Sequence, residues 1–241
     1  MDKSITDIAG VLRSASSTSS PIDYEWDSRI FEKMAHFEDG HDRLKNSVCR
    51  IGYKAAIGLA AALLELIFSQ LEGNAEITEK IAQMVRHKID AAWMAAMDPL
   101  LCEQLDYDLP NEPSEGPVLG PIWIASASIQ TLSTRFVSGS YFIHTPVVGL
   151  ALLAEHISHD RTLFREWFSR VLKKAAEAYP CAYDYSEIDR KGEYDCSGEQ
   201  PMLREFYFGE DLAWDLETVK QRVKEYVQSG GESNPYLRLG K

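Results

Sequence analysis

The chain has 241 residues, 45% hydrophobic and 26% charged, with a net charge of −12. That length is enough to bury a sizeable core as one large domain or two small ones, and an aromatic content of 10% argues against a disordered chain. With 37 acids against 25 bases and no Lys/Arg cluster, composition argues against phosphate-neutralising binding of nucleic acid and against attraction to an anionic membrane.

The first residues lack the apolar run of a secretory leader. Four cysteines without a C-x-x-C pair suit unlinked thiols in a reducing compartment. The expected location is therefore the cytoplasm. Cys181 and Cys196 fall in one irregular segment, and spacing alone does not establish a disulfide between them.

Ile5, Ile8 and Leu12 predict a short amphipathic helix over 4–13. The polar run from Ser14 to Pro21 reads as a linker. Residues 1–20 are thus expected to form an arm that docks on its own core, on a neighbouring subunit, or nowhere. A single helical domain is expected over 21–229 and a tail over 230–241. Ile30, Phe31, Met34 and Phe37 predict a helix ending before Gly40.

The longest helix is expected over 41–71. Leu44, Val48, Ile51, Ala55, Ala62 and Leu66 make its stripe, and Gly52, Ala56 and Ala60 make a small-residue face that admits a close neighbour, which predicts a central position. Glu65 interrupts its apolar run, whose unbroken part is too short to span a bilayer.

Thr78 or Asn74 is expected to cap the next helix, which carries Ile81, Val85, Ile89, Ala92 and Ala96 on one face and ends at Pro99. A proline-rich loop over 106–120 leads to Pro121, which starts a helix running to Val137. Thr145-Pro146 predicts a cap and first turn for a helix reaching Ser158. Asp160 caps another that runs to Tyr179, with Leu163, Phe164, Trp167, Phe168, Val171, Leu172 and Ala175 inward. Residues 181–209 read as irregular and aromatic-rich, with a small hairpin around Arg190-Lys191-Gly192. A last helix is expected over 212–227. The fold class is all-α, a bundle of about seven to nine helices with an irregular acidic loop.

Chemistry-bearing patterns are few. His156, His159 and Asp160 place two imidazoles three residues apart beside a carboxylate, the ligand types of a metal shell. Histidines at a helix C-terminus and an aspartate capping the next helix explain the same residues without a metal. His41-Asp42 and His159-Asp160 are His-Asp doublets of the kind helical metal-dependent phosphohydrolases use, but the further ligands are not spaced to join them. Arg29 and His36 have a spacing seen in helical ribonucleases and otherwise read as an exposed helix face. Ser126, Ser128 and Ser133 read as packing or solvent-facing residues. No phosphate-cradling glycine motif or nucleophile elbow is present, and no cofactor is implied.

Two segments stand out by charge. Between Lys88 and Arg135 there is no basic residue, while Asp106, Asp108, Glu112 and Glu115 fall in the proline-rich loop. Farther on, Tyr183, Asp184, Tyr185, Glu187 and Tyr194 interleave aromatics with acids, a composition suited to an interface for Lys and Arg. The expected function is a non-enzymatic module that engages a basic protein partner, as immunity or adaptor proteins do. The alternatives are a metal-dependent helical hydrolase using His156, His159 and Asp160, and a structural subunit of a homo-oligomer assembled through the N-terminal arm.

Overall fold

A computed structural model describes residues 5–14, 22–36, 41–105, 116–184, 192–209, 216–228 and 233–238. Within them the chain forms ten α-helices: α1 (Ile5–Ser14), α2 (Ser28–Ala35), α3 (Asp42–Val48), α4 (Tyr53–Leu71), α5 (Glu79–Met97), α6 (Leu119–Val137), α7 (His144–Ile157), α8 (Arg161–Ala178), α9 (Arg204–Phe208) and α10 (Leu216–Gln228). A 3₁₀ turn, Pro99–Leu101, follows α5. No strand occurs among the described residues; extended chain meets extended chain at isolated antiparallel pairs, Ile51 with Pro180, Cys102 with Leu237 and Ser140 with Glu193. The expected all-α bundle is the fold.

The organising element is α4. Almost every one of its residues is buried, and it packs most extensively on α5 and α7, with α6, α9 and α1 completing the enclosure. It is one described helix long and apolar enough to cross a membrane by length and composition; here its apolar surface is covered on all sides by other helices. Its composition of Ala, Leu, Ile and Gly explains the central place, because small side chains let several neighbours approach at once. At Gly58 the approach is closest. A Cβ there would lie 2.8 Å from Tyr207 Oη and 2.9 Å from its ring, so a side chain is excluded. The Tyr207 hydroxyl donates to the Ala55 carbonyl at 2.6 Å, which satisfies a polar group with no access to water.

The expected single helix over 41–71 is two helices. α3 ends at Val48, the chain turns through 49–52, and α4 starts afresh at Tyr53. Glu199 is the reason: its carboxylate accepts from the Tyr53 amide at 3.0 Å and the Lys54 amide at 2.8 Å, satisfying donors a continuous helix would have used internally. Gly52 belongs to this junction, since a Cβ would meet Glu199 Oε2 at 3.1 Å and the Tyr179 carbonyl at 3.3 Å.

Other ends follow local rules. Asp27, Thr78 and Asp160 accept from the amides of Ile30, Ile81 and Leu163, capping α2, α5 and α8. α6 and α7 each begin two to three residues earlier than the prolines suggest, at Leu119 and His144. Pro121 and Pro146 stay inside first turns, where the missing N–H has no intrahelical acceptor to lose.

α1 docks on its own chain, against α8, α9 and α4, burying Ile8, Ala9 and Leu12, and Gln70 Nε2 donates to the Leu12 carbonyl at 2.6 Å. The C-terminal tail is likewise tied down over its described part. Asn234 donates to the His87 carbonyl at 2.9 Å, and backbone bonds join Glu103 to Tyr236 and Arg238 to Leu101.

The stretch 181–209, expected to be irregular, contains the short helix α9, whose Phe206, Tyr207 and Phe208 enter the core. Of the expected hairpin, the turn residues Arg190 and Lys191 lie outside the described residues. Its described arm pairs elsewhere: Glu193 meets Ser140, and the Tyr194 amide donates to the Gly139 carbonyl at 2.7 Å.

Candidate functional site

An open groove of about 1070 Å³ lies where the C-terminus of α3, the outer face of α8 and the extended chain 180–184 meet. Its position follows from the α3–α4 break. The turn at 49–52 presents an extended edge, and the chain leaving α8 pairs with it, the Cys181 amide donating to the Arg50 carbonyl at 2.9 Å and the Gly52 amide to the Tyr179 carbonyl at 2.7 Å. Arg50, Lys173, Glu177, Tyr183 and Asp184 supply its polar lining, and Leu172, Ala176 and Pro180 its apolar lining. Two residues expected at a partner surface, Tyr183 and Asp184, are therefore on a concave wall.

Tyr183 continues into an aromatic patch. Its ring centroid lies 4.6 Å from that of Tyr194 and 4.9 Å from that of Tyr141, and Tyr141 and Tyr194 are 5.4 Å apart. Tyr53, wholly buried at the start of α4, supports Tyr194 from beneath at 5.2 Å. The hydroxyls turn into the chain: Tyr183 donates to the Tyr141 carbonyl at 3.4 Å, Tyr141 to the Glu193 carbonyl at 3.3 Å, and Tyr194 to Glu199 Oε1 at 2.7 Å. Burial, and then the Glu199 carboxylate, push the Tyr194 phenol well above its ordinary range. The three rings are half-buried, while Asp184, Glu193 and Asp195, adjacent to two of them in sequence, are exposed. Tyr141 was not singled out by the sequence; it sits alone in the turn between α6 and α7, and only folding brings it to the two later tyrosines.

The histidine pattern resolves differently from a metal shell. His156 Nε2 bonds the Glu25 carbonyl at 2.8 Å, His159 Nδ1 lies 2.8 Å from Asp23 Oδ1, and Asp160 caps α8. Each side chain serves a separate partner, and among the described residues no group of three or more His, Cys, Asp or Glu converges to hold a metal ion. What the two histidines do is fasten the extended strap 22–27 across the end of α7. Tyr24 and Trp26 of the strap pack on the His156 ring, at 6.0 and 5.9 Å between centroids, and the Tyr24 hydroxyl donates to the Pro117 carbonyl. His36 caps the end of α2 and pairs with Glu32 at 3.2 Å; His41 and Asp42 open α3. Ser126 and Ser133 are buried, and Ser133 Oγ accepts from the Leu105 amide at 3.1 Å.

The four thiols are unlinked. Burial pushes Cys49 and Cys196 up to about 11 and Cys102 up to about 12, so none is a ready thiolate near neutral pH.

Asp106, Asp108, Glu112, Glu115, Tyr185 and Glu187 lie outside the described residues. The chain on either side of 106–115 is firmly placed, by Leu105 on Ser133 toward the C-terminal end of α6 and by Pro117 under Tyr24 just before its N-terminus.

No family model, curated protein or solved structure matches this chain. The site is therefore read from its own chemistry, and the partition of charge is its clearest statement. Three stretches between helices, 106–115, 184–200 and 210–215, hold 13 acids and two bases, a net charge of −11. Everything else holds 24 acids and 23 bases. On the helices acids meet bases: Glu79 with Arg86, Glu155 with Arg165, Glu166 with Arg170, and Glu205 with Arg222.

Proposed function

We propose that the protein is a non-enzymatic binding module that engages a basic protein partner in the cytoplasm, in the manner of immunity or adaptor proteins. The observation that carries this reading is the charge partition. The rest of the chain, helices, other loops and termini together, is balanced to within one charge, and three stretches of sequence gather nearly all of the −12, which makes an uneven field. Such a field raises association rates with a cationic surface and selects against acidic ones. A uniformly acidic surface would serve solubility equally well, so the segregation is what favours a partner. The His156, His159 and Asp160 side chains, which a hydrolase would need for a metal, are committed to the strap and to a helix cap.

The reading is tested by affinity capture from the native host followed by kinetics. One basic protein is expected in stoichiometric yield, and its association rate should fall about tenfold or more when Asp106, Asp108 and Glu112 are changed to Lys, with the difference fading in high salt. No captured protein, or an association rate indifferent to the reversal, contradicts it.

A further inference from the structure

Lys54 is a buried charge without a neutralising partner among the described residues. It stands in the first turn of α4 and is 4% exposed. Its Nζ donates to the Glu199 carbonyl at 3.1 Å; among the described residues it has no other hydrogen bond and no carboxylate within ion-pair distance. The Glu199 carboxylate is turned to the amides of Tyr53 and Lys54 and to the Tyr194 hydroxyl. Asp195 feels the ammonium from farther off, and its carboxylate holds the Ser197 amide at 2.8 Å. Buried ammonium groups are ordinarily paired with an anion, because one carbonyl offsets little of the desolvation. The helix does not call for the charge either, since a cation is disfavoured at a helix N-terminus. A neutral amide would serve the Glu199 carbonyl equally well, so the charge itself needs a purpose.

Lys54 lines a groove of about 660 Å³ between the end of α5, residues 197–201 and α10, a volume within the range of small-molecule sites. Met97, Leu101 and Pro201, with Val219 and Val223 of α10, make its apolar wall. Gln200 adds an exposed amide that has no hydrogen-bond partner among the described residues. The other charged groups of the lining are occupied: Lys220 pairs with Glu217 at 2.7 Å, and Asp98 accepts from the Leu100 amide at 3.0 Å. We propose that this groove binds a small amphiphilic monocarboxylate, its carboxylate on Lys54 Nζ and its apolar body along the α10 wall. The ligand supplies the charge-assisted bond that the ammonium lacks. One unpaired cation calls for one negative charge, and Asp98 and Glu199 on the same lining disfavour a phosphate dianion. The site is additional to the basic-partner reading and does not rest on it.

The test uses the full chain with its lysines labelled at Cε, titrated by NMR with two probes of equal length, octanoate and neutral octanamide. Octanoate should bind about tenfold more tightly, the difference between a charge-assisted and a neutral hydrogen bond, and should shift the Lys54 signal. The chain's net charge of −12 opposes any anion, so a preference for the carboxylate has to come from a local cation. Lys54→Gln, which keeps a donor for the Glu199 carbonyl, should bring octanoate down to the affinity of octanamide. Lys220→Gln should leave the preference in place. Equal affinities in the unmodified chain, no saturable binding of octanoate, or an unmoved Lys54 signal overturn the proposal, and none of these results depends on a variant that folds. The basic-partner reading stands or falls separately, on its own association kinetics.

Discussion

Two aromatic clusters touch the first turns of α4, one through Tyr53 and one through the Ala55 carbonyl, and they differ in what surrounds them. Around Tyr207, the rings of Trp93, Trp167 and Phe208 are all buried; Trp167 stacks on Phe208 at 6.1 Å, and its indole N–H donates to the Tyr207 carbonyl at 2.9 Å. Around Tyr194, the rings of Tyr141 and Tyr183 are half-buried, and Asp184, Glu193 and Asp195, next to Tyr183 and Tyr194 in sequence, are exposed. Both clusters satisfy their hydroxyls within the chain. The first excludes nearly all water, so its rings contribute packing and dispersion to stability. The second keeps ring surface in contact with solvent where the local charge is negative. That is poor use of aromatic area for folding and good use of it for recognition.

The sharpest way to break this comparison is to delete a ring from each cluster. Trp167→Ala should cost about 3–5 kcal/mol in urea unfolding, the range for emptying a large buried site, whereas Tyr183→Leu should cost less than about 1 kcal/mol as a partly exposed substitution. Similar losses would mean that the patch is core. Gly58→Ala, which drives a Cβ against Tyr207 at 2.8 Å, should cost about 1–3 kcal/mol because the ring it displaces has nowhere to go. Removal of the α8 cap by Asp160→Ala should cost about 1 kcal/mol and leave the metal content of the purified protein unchanged; a loss of bound metal would restore the hydrolase reading.

A pH experiment sharpens the core side of the contrast. Burial, with Lys45 and Arg135 adding to it, holds the His144 imidazole down to about 4. The folded protein thus keeps this histidine neutral over a range in which the unfolded chain binds a proton. Its contribution to stability is complete above about 6.5 and is lost as pH falls toward 4. Unfolding midpoints should decline through that window, and His144→Gln should flatten the decline relative to the unmodified chain.

What could be read ahead of the structure was local. Thr78 and Asp160 cap the helices their positions announce, and the inward residues of α8 are those its periodicity selects, except Leu172, which is half-buried and lines the groove. The α3–α4 break was not legible, because the group that ends one helix and starts the next is Glu199, 146 residues from Tyr53, and the local sequence, Cys49-Arg50-Ile51-Gly52-Tyr53-Lys54, holds no proline to announce it. Gly52 was legible only as part of a small-residue face and Gly58 not at all, yet the first lies against a carboxylate and the second against a tyrosine. At the candidate site, Tyr183, Asp184 and Tyr194 were legible from composition, while Tyr141 was not, since its role depends on a meeting across 42 residues with Tyr183. His156 and His159 were visible as a pair, but the strap they hold begins more than a hundred residues earlier, at 131 residues from His156 to Glu25.

The central claim is that the acids of three stretches of sequence serve recognition, whereas the helical acids that pair with neighbouring bases serve the fold. Two variants with the same net charge test it. One carries Asp106→Asn, Asp108→Asn, Glu112→Gln and Glu115→Gln. The other carries Glu79→Gln, Glu177→Gln, Glu217→Gln and Glu225→Gln, all exposed helical acids paired with neighbouring bases. Each set removes four of the acids that set the chain at −12. Affinity for a basic probe, the acetylated and amidated octapeptide (Gly-Arg)₄, measured for both at one ionic strength, should fall several-fold in the first variant and stay close to that of the unmodified chain in the second. Equal losses in the two would show that net charge alone governs binding, and the segregation would carry no function.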